Sequence, residues 1–304
     1  MAKRKRRKAR MTVAQKQDII LKSVTAALVC LALVVSLVFA IQADFSLDKF
    51  LRPEKATQQE QEVDFGEMTD KSTFLIIGSS DKTKAARFFS LIQVDLETSE
   101  ISIAALPTSL AMGASTIKDT FASDGAAVVC EQLVAEYGVY PDKYIVLTDS
   151  GYKKVVQKLG KTSFTFASDI KYSSDGEDSF SVRIKAGEQE LDGASMMALM
   201  RYCNEHAKDY RLQNEVMAAA VNQTINQDNV KKGDKLFTSV INYIETDITV
   251  SDFNDKKRAL EYMASASFTP STRLVNITGE ETNGVFKVDE QSAKDLKTIY
   301  YKEQ

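Results

Sequence analysis

Residues 23–41 are an unbroken run of 19 uncharged, almost wholly apolar positions, and this run divides everything else in the chain. As a helix it is long enough to cross a hydrocarbon layer, which takes roughly 17 to 25 residues. Nine basic residues (Lys3, Arg4, Lys5, Arg6, Arg7, Lys8, Arg10, Lys16 and Lys22) precede it against one acid, Asp18. The remainder keeps 30 basic and 41 acidic residues. Basic flanks stay on the cytoplasmic side of a span. The expectation is therefore a basic cytoplasmic segment at 1–22, a single transmembrane helix at 23–41, and an acidic body outside the cell membrane. A cleaved signal peptide ending near Ala43 is the alternative, but apolar signal regions usually run to about 7 to 15 residues, so a retained anchor fits better. Clustered Lys and Arg also suit a nucleic-acid arm. Beside a span, topology and contact with anionic lipid account for them, and no nucleic-acid partner is expected.

Residues 42–71 are rich in Gln and Glu and bury little surface, which reads as a juxtamembrane tether. From residue 72 the character changes. Apolar runs at 72–78, 88–95 and 99–106 read as strands, the last two joined by a turn at 97–99. Residues 125–137 have helical spacing, 142–148 form a strand, and 149–159 a helix that Asp149 can cap. Short strands follow at 164–166 and 180–184 around a polar turn at 172–179, then helices at 194–205 and 209–225. The tail reads as helices at 234–245 and 252–264, a strand at 273–277 and a helix at 289–300, packed on the same sheet. Such alternation argues for an α/β domain with helices on a sheet.

Several chemistries are excluded early. His206 is the single histidine, so no pair of histidines at metal-binding spacing exists. Nucleophile-elbow, phosphate-loop and dinucleotide-loop motifs are absent from the sequence. Gly78, Ser79 and Ser80 after a strand read as a turn before they read as a phosphate seat. Cys130 and Cys203 are expected as buried free thiols rather than a disulfide, since a chain of this size needs no staple.

Short blocks carry a resemblance. The first apolar strand ends in a Gly-Ser turn at Gly78. Arg87, Phe88, Phe89 and Ser90 stand where an Arg-Ser-Asp-Thr block is matched, and Ala105, Leu106, Pro107, Thr108, Ser109 and Leu110 where Ser-Ile-Pro-Arg-Asp-Thr is matched. Thr116 to Phe121 faintly follow Lys-Ile-Asn-x-Ala-aromatic. Gly187, Leu191 and Gly193 keep a Gly-x-x-x-Leu-x-Gly spacing that arrives at Arg201 in register. Asp209 and Arg211 match an Asp-Phe-Gly-Arg-x-x-Arg-Gln block without its Gly. Together these resemble the LytR-CpsA-Psr family over roughly residues 72–225, with 226–304 as a C-terminal extension of one extracytoplasmic domain spanning 72–304. The resemblance implies a central β-sheet flanked by helices. It also implies anchored enzymes that transfer glycopolymers such as teichoic acid or capsule from a polyprenyl-pyrophosphate carrier to peptidoglycan.

Chemistry at a pyrophosphate needs its spreading negative charge stabilised, by Mg²⁺ on carboxylates and by guanidinium forks. Two matched carboxylate positions hold Phe89 and Ser109, and three matched Arg positions hold Thr108, Cys203 and Asn214. Arg87, Arg201 and Arg211 remain, the candidates for a reduced clamp that holds a lipid phosphate without a metal. Each of them taken alone is more often a solvated or salt-bridging Arg. Asp209 either orients Arg211 or acts as a base. Phe88 and Phe89 either line a polyprenyl channel or fill it with ring volume.

The expectation is thus a family member of envelope glycopolymer assembly that binds polyprenyl-phosphate-linked glycan or scaffolds, with no cofactor required. Two alternatives stay open. One is an active transferase with Mg²⁺ on relocated ligands such as Asp81, Asp95, Asp119 and Asp124. The other is a structural partner of envelope proteins with a filled channel, binding through the surface around 172–179 and the acidic tether.

Overall fold

A computed structural model describes residues 64–301. The basic head, the expected span at 23–41 and most of the tether lie outside the described residues. The three apolar runs form β1 (Lys71–Ser79), β2 (Ala86–Asp95) and β3 (Glu100–Leu106). They pair antiparallel, with Leu75 opposite Leu91 and Leu91 opposite Ala104. Strand alternation sends Ile76, Phe88 and Ile92 to one face and Leu75, Ile77, Phe89 and Leu91 to the other, and both sets are core. Burial on two faces explains why these strands read as continuous apolar runs.

A small ribbon of β4 (Ala111–Met112) and β5 (Ser115–Thr116) leads into α1 (Ile117–Tyr137). This helix opens earlier than expected because Thr116 caps it, its hydroxyl accepting the Asp119 N–H at 3.2 Å. Gly125, at φ 83°, marks a break inside it. Next come β6 (Lys143–Thr148), parallel to β1, and α2 (Asp149–Leu159), whose cap is Thr148 rather than Asp149. Then follow β7 (Thr162–Phe166), β8 (Ile170–Ser173), β9 (Ser181–Ile184) and β10 (Gly187–Leu191). β8 and β9 pair with each other, and β10 pairs with β7. Helix α3 (Gly193–Arg201) runs into a π-helical turn, Tyr202–Ala207, before α4 (Tyr210–Thr224).

The tail comprises α5 (Gln227–Lys231), α6 (Gly233–Val240), β11 (Glu245–Thr246), α7 (Val250–Asp255), α8 (Lys257–Met263) and β12 (Ser271–Val275). The hairpin β13 (Gly279–Thr282) and β14 (Val285–Val288) and the helix α9 (Glu290–Ile299) complete it. It supplies both edges of the main sheet, whose order is β11-β6-β1-β2-β3-β12. The helix expected at 234–245 gives way after Val240 because Thr246 joins the ladder opposite Ile145, a pairing that local periodicity does not report. The β13–β14 hairpin was not expected. Its turn is Asn283 and Gly284, at φ 53° and 77°, the left-handed pair that a two-residue hairpin turn requires.

Three layers result. Helices α2, α3 and α4 pack Tyr152, Met196, Met200 and Val216 on one sheet face, and α1 and α9 pack Val129, Leu133, Leu296 and Ile299 on the other. Each fully buried Leu, Ile or Phe stabilises by about 1.5–3 kcal/mol relative to exposure. The sheet therefore fixes its strand ends, where the motif residues sit.

Candidate functional site

The motif spacing around residue 190 has a physical reading. Gly187 bends the chain at φ 89°, Leu191 is buried, and Gly193 lies so close to α2 that an added Cβ would meet the Lys153 Cα at 2.5 Å. This contact aims α3, and Arg201 at its end, at the top of β2. Gly78 is needed for a different reason. Its missing side chain is the seat of the Phe88 ring, which an added Cβ would meet at 2.1 Å.

Arg87 and Arg201 converge there. Arg87 is 4% exposed and donates from Nη1 and Nη2 to the two Asp178 oxygens, both at 2.6 Å. Arg201 donates from Nη2 to Asp178 Oδ2 at 2.9 Å and from Nε to Glu205 Oε2 at 2.7 Å. Glu205 also lies 3.5 Å from Arg87, and the Phe180 ring lies 4.1 Å beneath the Arg201 guanidinium, a cation–π contact. Burial works against the Arg87 charge, yet the Asp178 hydrogen bonds and the charges of Asp178 and Glu205 outweigh it and hold the group above its ordinary value. Reciprocally, hydrogen bonding from Arg87 pulls the Asp178 carboxyl below its ordinary value despite partial burial. Two guanidiniums and two carboxylates balance, as buried charge demands.

The other candidates lie apart from this cluster. Arg211 is 68% exposed and pairs with Glu215 at 2.7 Å, one turn along α4. Asp209 caps α4, accepting the Leu212 N–H at 2.9 Å, so it orients a helix rather than Arg211. Phe88 and Phe89 are fully buried, on opposite sheet faces, against Tyr152 and Phe121. They fill the core, and neither ring bounds either of two apolar cavities among the described residues.

Such cavities lie lower on the α4 side of the sheet. One of about 270 Å³ is bounded by Phe74, Ile76, Ile92, Ile145, Val221 and Met263. Another of about 440 Å³ lies between Val230, Leu236, Phe237, Val240 and Phe253. They adjoin at Ile225 and Leu260.

Asn214, at a position matched to a family arginine, has taken up structural work together with the nearby amides of Asn204 and Gln213. Asn214, Asn204 and Gln213 are fully buried. Asn214 accepts from the Ala105 N–H and donates to the Val275 carbonyl. Asn204 accepts from the Thr108 N–H at 2.9 Å and donates to the Leu106 carbonyl and to Gln213. Gln213 donates to the Phe89 carbonyl and to Ser90 Oγ. A buried phenyl ring at Phe89 and a hydroxyl at Ser109 do not fit Mg²⁺, which takes hard oxygen ligands and usually carboxylates. The relocated set does not assemble either. Asp81 accepts from Ser150 at the α2 N-terminus, Asp95 from the turn N–H groups of Glu97 and Thr98, Asp119 from Thr116 and Asp124 from Ser123. Among the described residues no group of three or more His, Cys, Asp or Glu is placed to hold a metal. Asp149 sits beside Asp81, and burial with repulsion from Asp81 holds its carboxyl above the ordinary value, against the pull of the Asp81 N–H and Arg87. Cys130 and Cys203 are free, and burial raises both thiols to about 12.

Sequence reasoning missed Asp178 and Glu205. Glu205 carried a signal, standing four residues after Arg201 on a helix. Asp178 carried none, being 91 positions from Arg87.

Comparison with known proteins places this geometry in context. The LytR_cpsA_psr family model matches residues 37–302. The polyisoprenyl-teichoic acid–peptidoglycan teichoic acid transferase TagV of Bacillus subtilis is 24% identical over 144 residues, a stretch covering 46% of this chain and 36% of that protein. The chain thus spans about a third of the curated relative's length. The crystal structure of B. subtilis TagV superimposes with TM-score 0.58 at 15% identity, covering 78% of this chain and all of the other. A Eubacterium siraeum protein described as a transcription regulator gives TM-score 0.69 at 23% identity, covering 80% and 96%. TagT bound to LI-WTA gives 0.56 at 15%, covering 80% and 93%. These likenesses show the fold.

Proposed function

The chain belongs to the LytR-CpsA-Psr family, and from that premise we propose that it acts in cell-envelope glycopolymer assembly by holding a polyprenyl-pyrophosphate-linked glycan on Arg87 and Arg201 rather than by turning it over. The convergence of Arg87 and Arg201 on one carboxylate carries this reading, because a fork that grips a carboxylate bidentately also grips a phosphoryl group. Arg211, exposed and paired along its own helix, is outside the clamp. The adjoining cavities between the sheet and α4, α6 and α8 support a path for the lipid chain.

The missing carboxylates at Phe89 and Ser109 support binding without a metal, and the non-arginine residues at Thr108, Cys203 and Asn214 support loss of turnover. A retained span at 23–41 would keep the domain beside membrane-borne carriers and raise their effective concentration. The relative named for teichoic acid transfer to peptidoglycan supports the polymer class.

Titration calorimetry of the full chain in detergent with farnesyl pyrophosphate, with and without Mg²⁺, tests the clamp. The reading requires metal-independent binding that Arg201→Ala abolishes. Binding that needs Mg²⁺ and survives the substitution would return the transferase reading.

A further inference from the structure

Asp178 makes with the clamp the contacts that a ligand phosphoryl group would make. Its two oxygens take both Arg87 Nη groups at 2.6 Å, and one of them also bridges to Arg201 at 2.9 Å. Resting on the clamp reading above, we infer that the tip of the β8–β9 hairpin is a displaceable cap and that Asp178 is an internal competitor for the phosphate.

The two acids of the cluster are anchored very differently. Glu205 stands one helical turn beyond Arg201 and holds its Nε at 2.7 Å, so it stays with the arginine and positions it. Asp178 stands in the turn between two strands of four residues that pair only with each other. An isolated two-stranded ribbon is marginally stable. Its side chain is 42% exposed, and the turn includes Gly176 at φ 101°. The base of the hairpin is held better. Val182 and Ile184 are buried, and Tyr172 lies 4.0 Å from the His206 ring and 5.6 Å from that of Tyr202. The tip can therefore swing away while the base stays packed.

A second observation points to a ligand. The Arg87 Nε is buried and has no hydrogen-bond acceptor among the described residues, although the side chain is 4% exposed. A carboxylate offers two oxygens, and Asp178 spends both on the Nη groups. A terminal phosphoryl group brings three, and seated against the Nε and Nη2 side it meets the N–H that Asp178 leaves unmet. Departure of Asp178 also leaves one net positive charge on the two arginines and Glu205, which favours an incoming anion.

The test uses the full chain in detergent, with inorganic pyrophosphate and farnesyl pyrophosphate as probes. Asp178→Asn and Asp178→Ala should bind both about tenfold or more tightly than the wild type, the scale of one lost charge-assisted competitor. Hydrogen exchange of wild-type residues 174–180 should rise when either probe binds, a readout that needs no variant to fold. Wild-type binding that Arg201→Ala abolishes, with no gain in the Asp178 variants and no rise in exchange, would overturn the cap and leave the clamp standing. No binding by wild type or variants would overturn both. Gain with inorganic pyrophosphate as well as with the lipid form would place the competition at the headgroup, whereas gain with the lipid form alone would overturn Asp178 as a phosphate competitor.

Discussion

The side-chain oxygen of Asn214 accepts the Ala105 N–H at 2.6 Å while its amide nitrogen donates to the Val275 carbonyl at 3.1 Å. One amide thereby clips β3 to β12 from within α4, at a position matched to an arginine of the family motif. A group used in this way is closed off from any substrate phosphate. Asn214→Ala leaves a buried donor and acceptor unmet and should lower stability by about 2–3 kcal/mol. Asn214→Arg, which restores the motif, should cost about 3–5 kcal/mol because its charge is buried without a partner. Urea unfolding checks both, and an arginine variant as stable as wild type would refute the structural role of the amide.

The Arg87–Asp178 pair has a pH signature. Asp178 ordinarily titrates at 3.8, and hydrogen bonding from Arg87 lowers it in the folded chain. A depressed folded value stabilises above the ordinary one and is lost as pH falls through the folded one. The stability difference between wild type and Asp178→Asn should be flat between about pH 5 and 8 and shrink below about pH 4. Urea midpoints across that range report it, and a difference that stays constant into acid would contradict the pairing.

Gly193 is a steric requirement rather than a flexible joint. A methyl there meets the Lys153 backbone at 2.5 Å, so Gly193→Ala should force α3 away from α2 and cost about 1–3 kcal/mol. Because α3 carries Arg201, pyrophosphate binding should weaken in the same variant. Thermal unfolding with calorimetry reads both effects.

The thiols are predicted to be inert. With Cys130 and Cys203 raised to about 12 by burial, both should react with an aromatic disulfide at pH 8 far more slowly in the native Cys30→Ser chain than after unfolding. Reduction should leave the native mass unchanged, and a two-proton gain would reveal a disulfide.

Much of this molecule was legible before folding. The strands β1, β2 and β3 were readable because both their faces are buried, and the place of Arg201 in the chain because glycines at 187 and 193 have separate backbone reasons to be there. Arg211 was expected with Arg201 on motif register, whereas the structure pairs it with Glu215 four residues later on its own helix. The acids that pair with Arg87 and Arg201 were not readable, since a long-range pair such as Arg87 and Asp178 leaves no local pattern. Of the two sheet edges, β12 was readable as the strand expected at 273–277, but β11 was not, because that two-residue strand is made by its partner β6 rather than by its own composition. Asn283 and Gly284 were readable and overlooked.

The central claim is binding without turnover. Its most direct test incubates the full chain in detergent with a polyprenyl-pyrophosphate-linked saccharide, Mg²⁺ and peptidoglycan fragments. Retained donor and released polyprenyl phosphate are then measured together. The account predicts donor retained by the wild type, lost from Arg201→Ala, and no polyprenyl phosphate above the protein-free control. Release of polyprenyl phosphate matched by saccharide phosphate on the acceptor would contradict it.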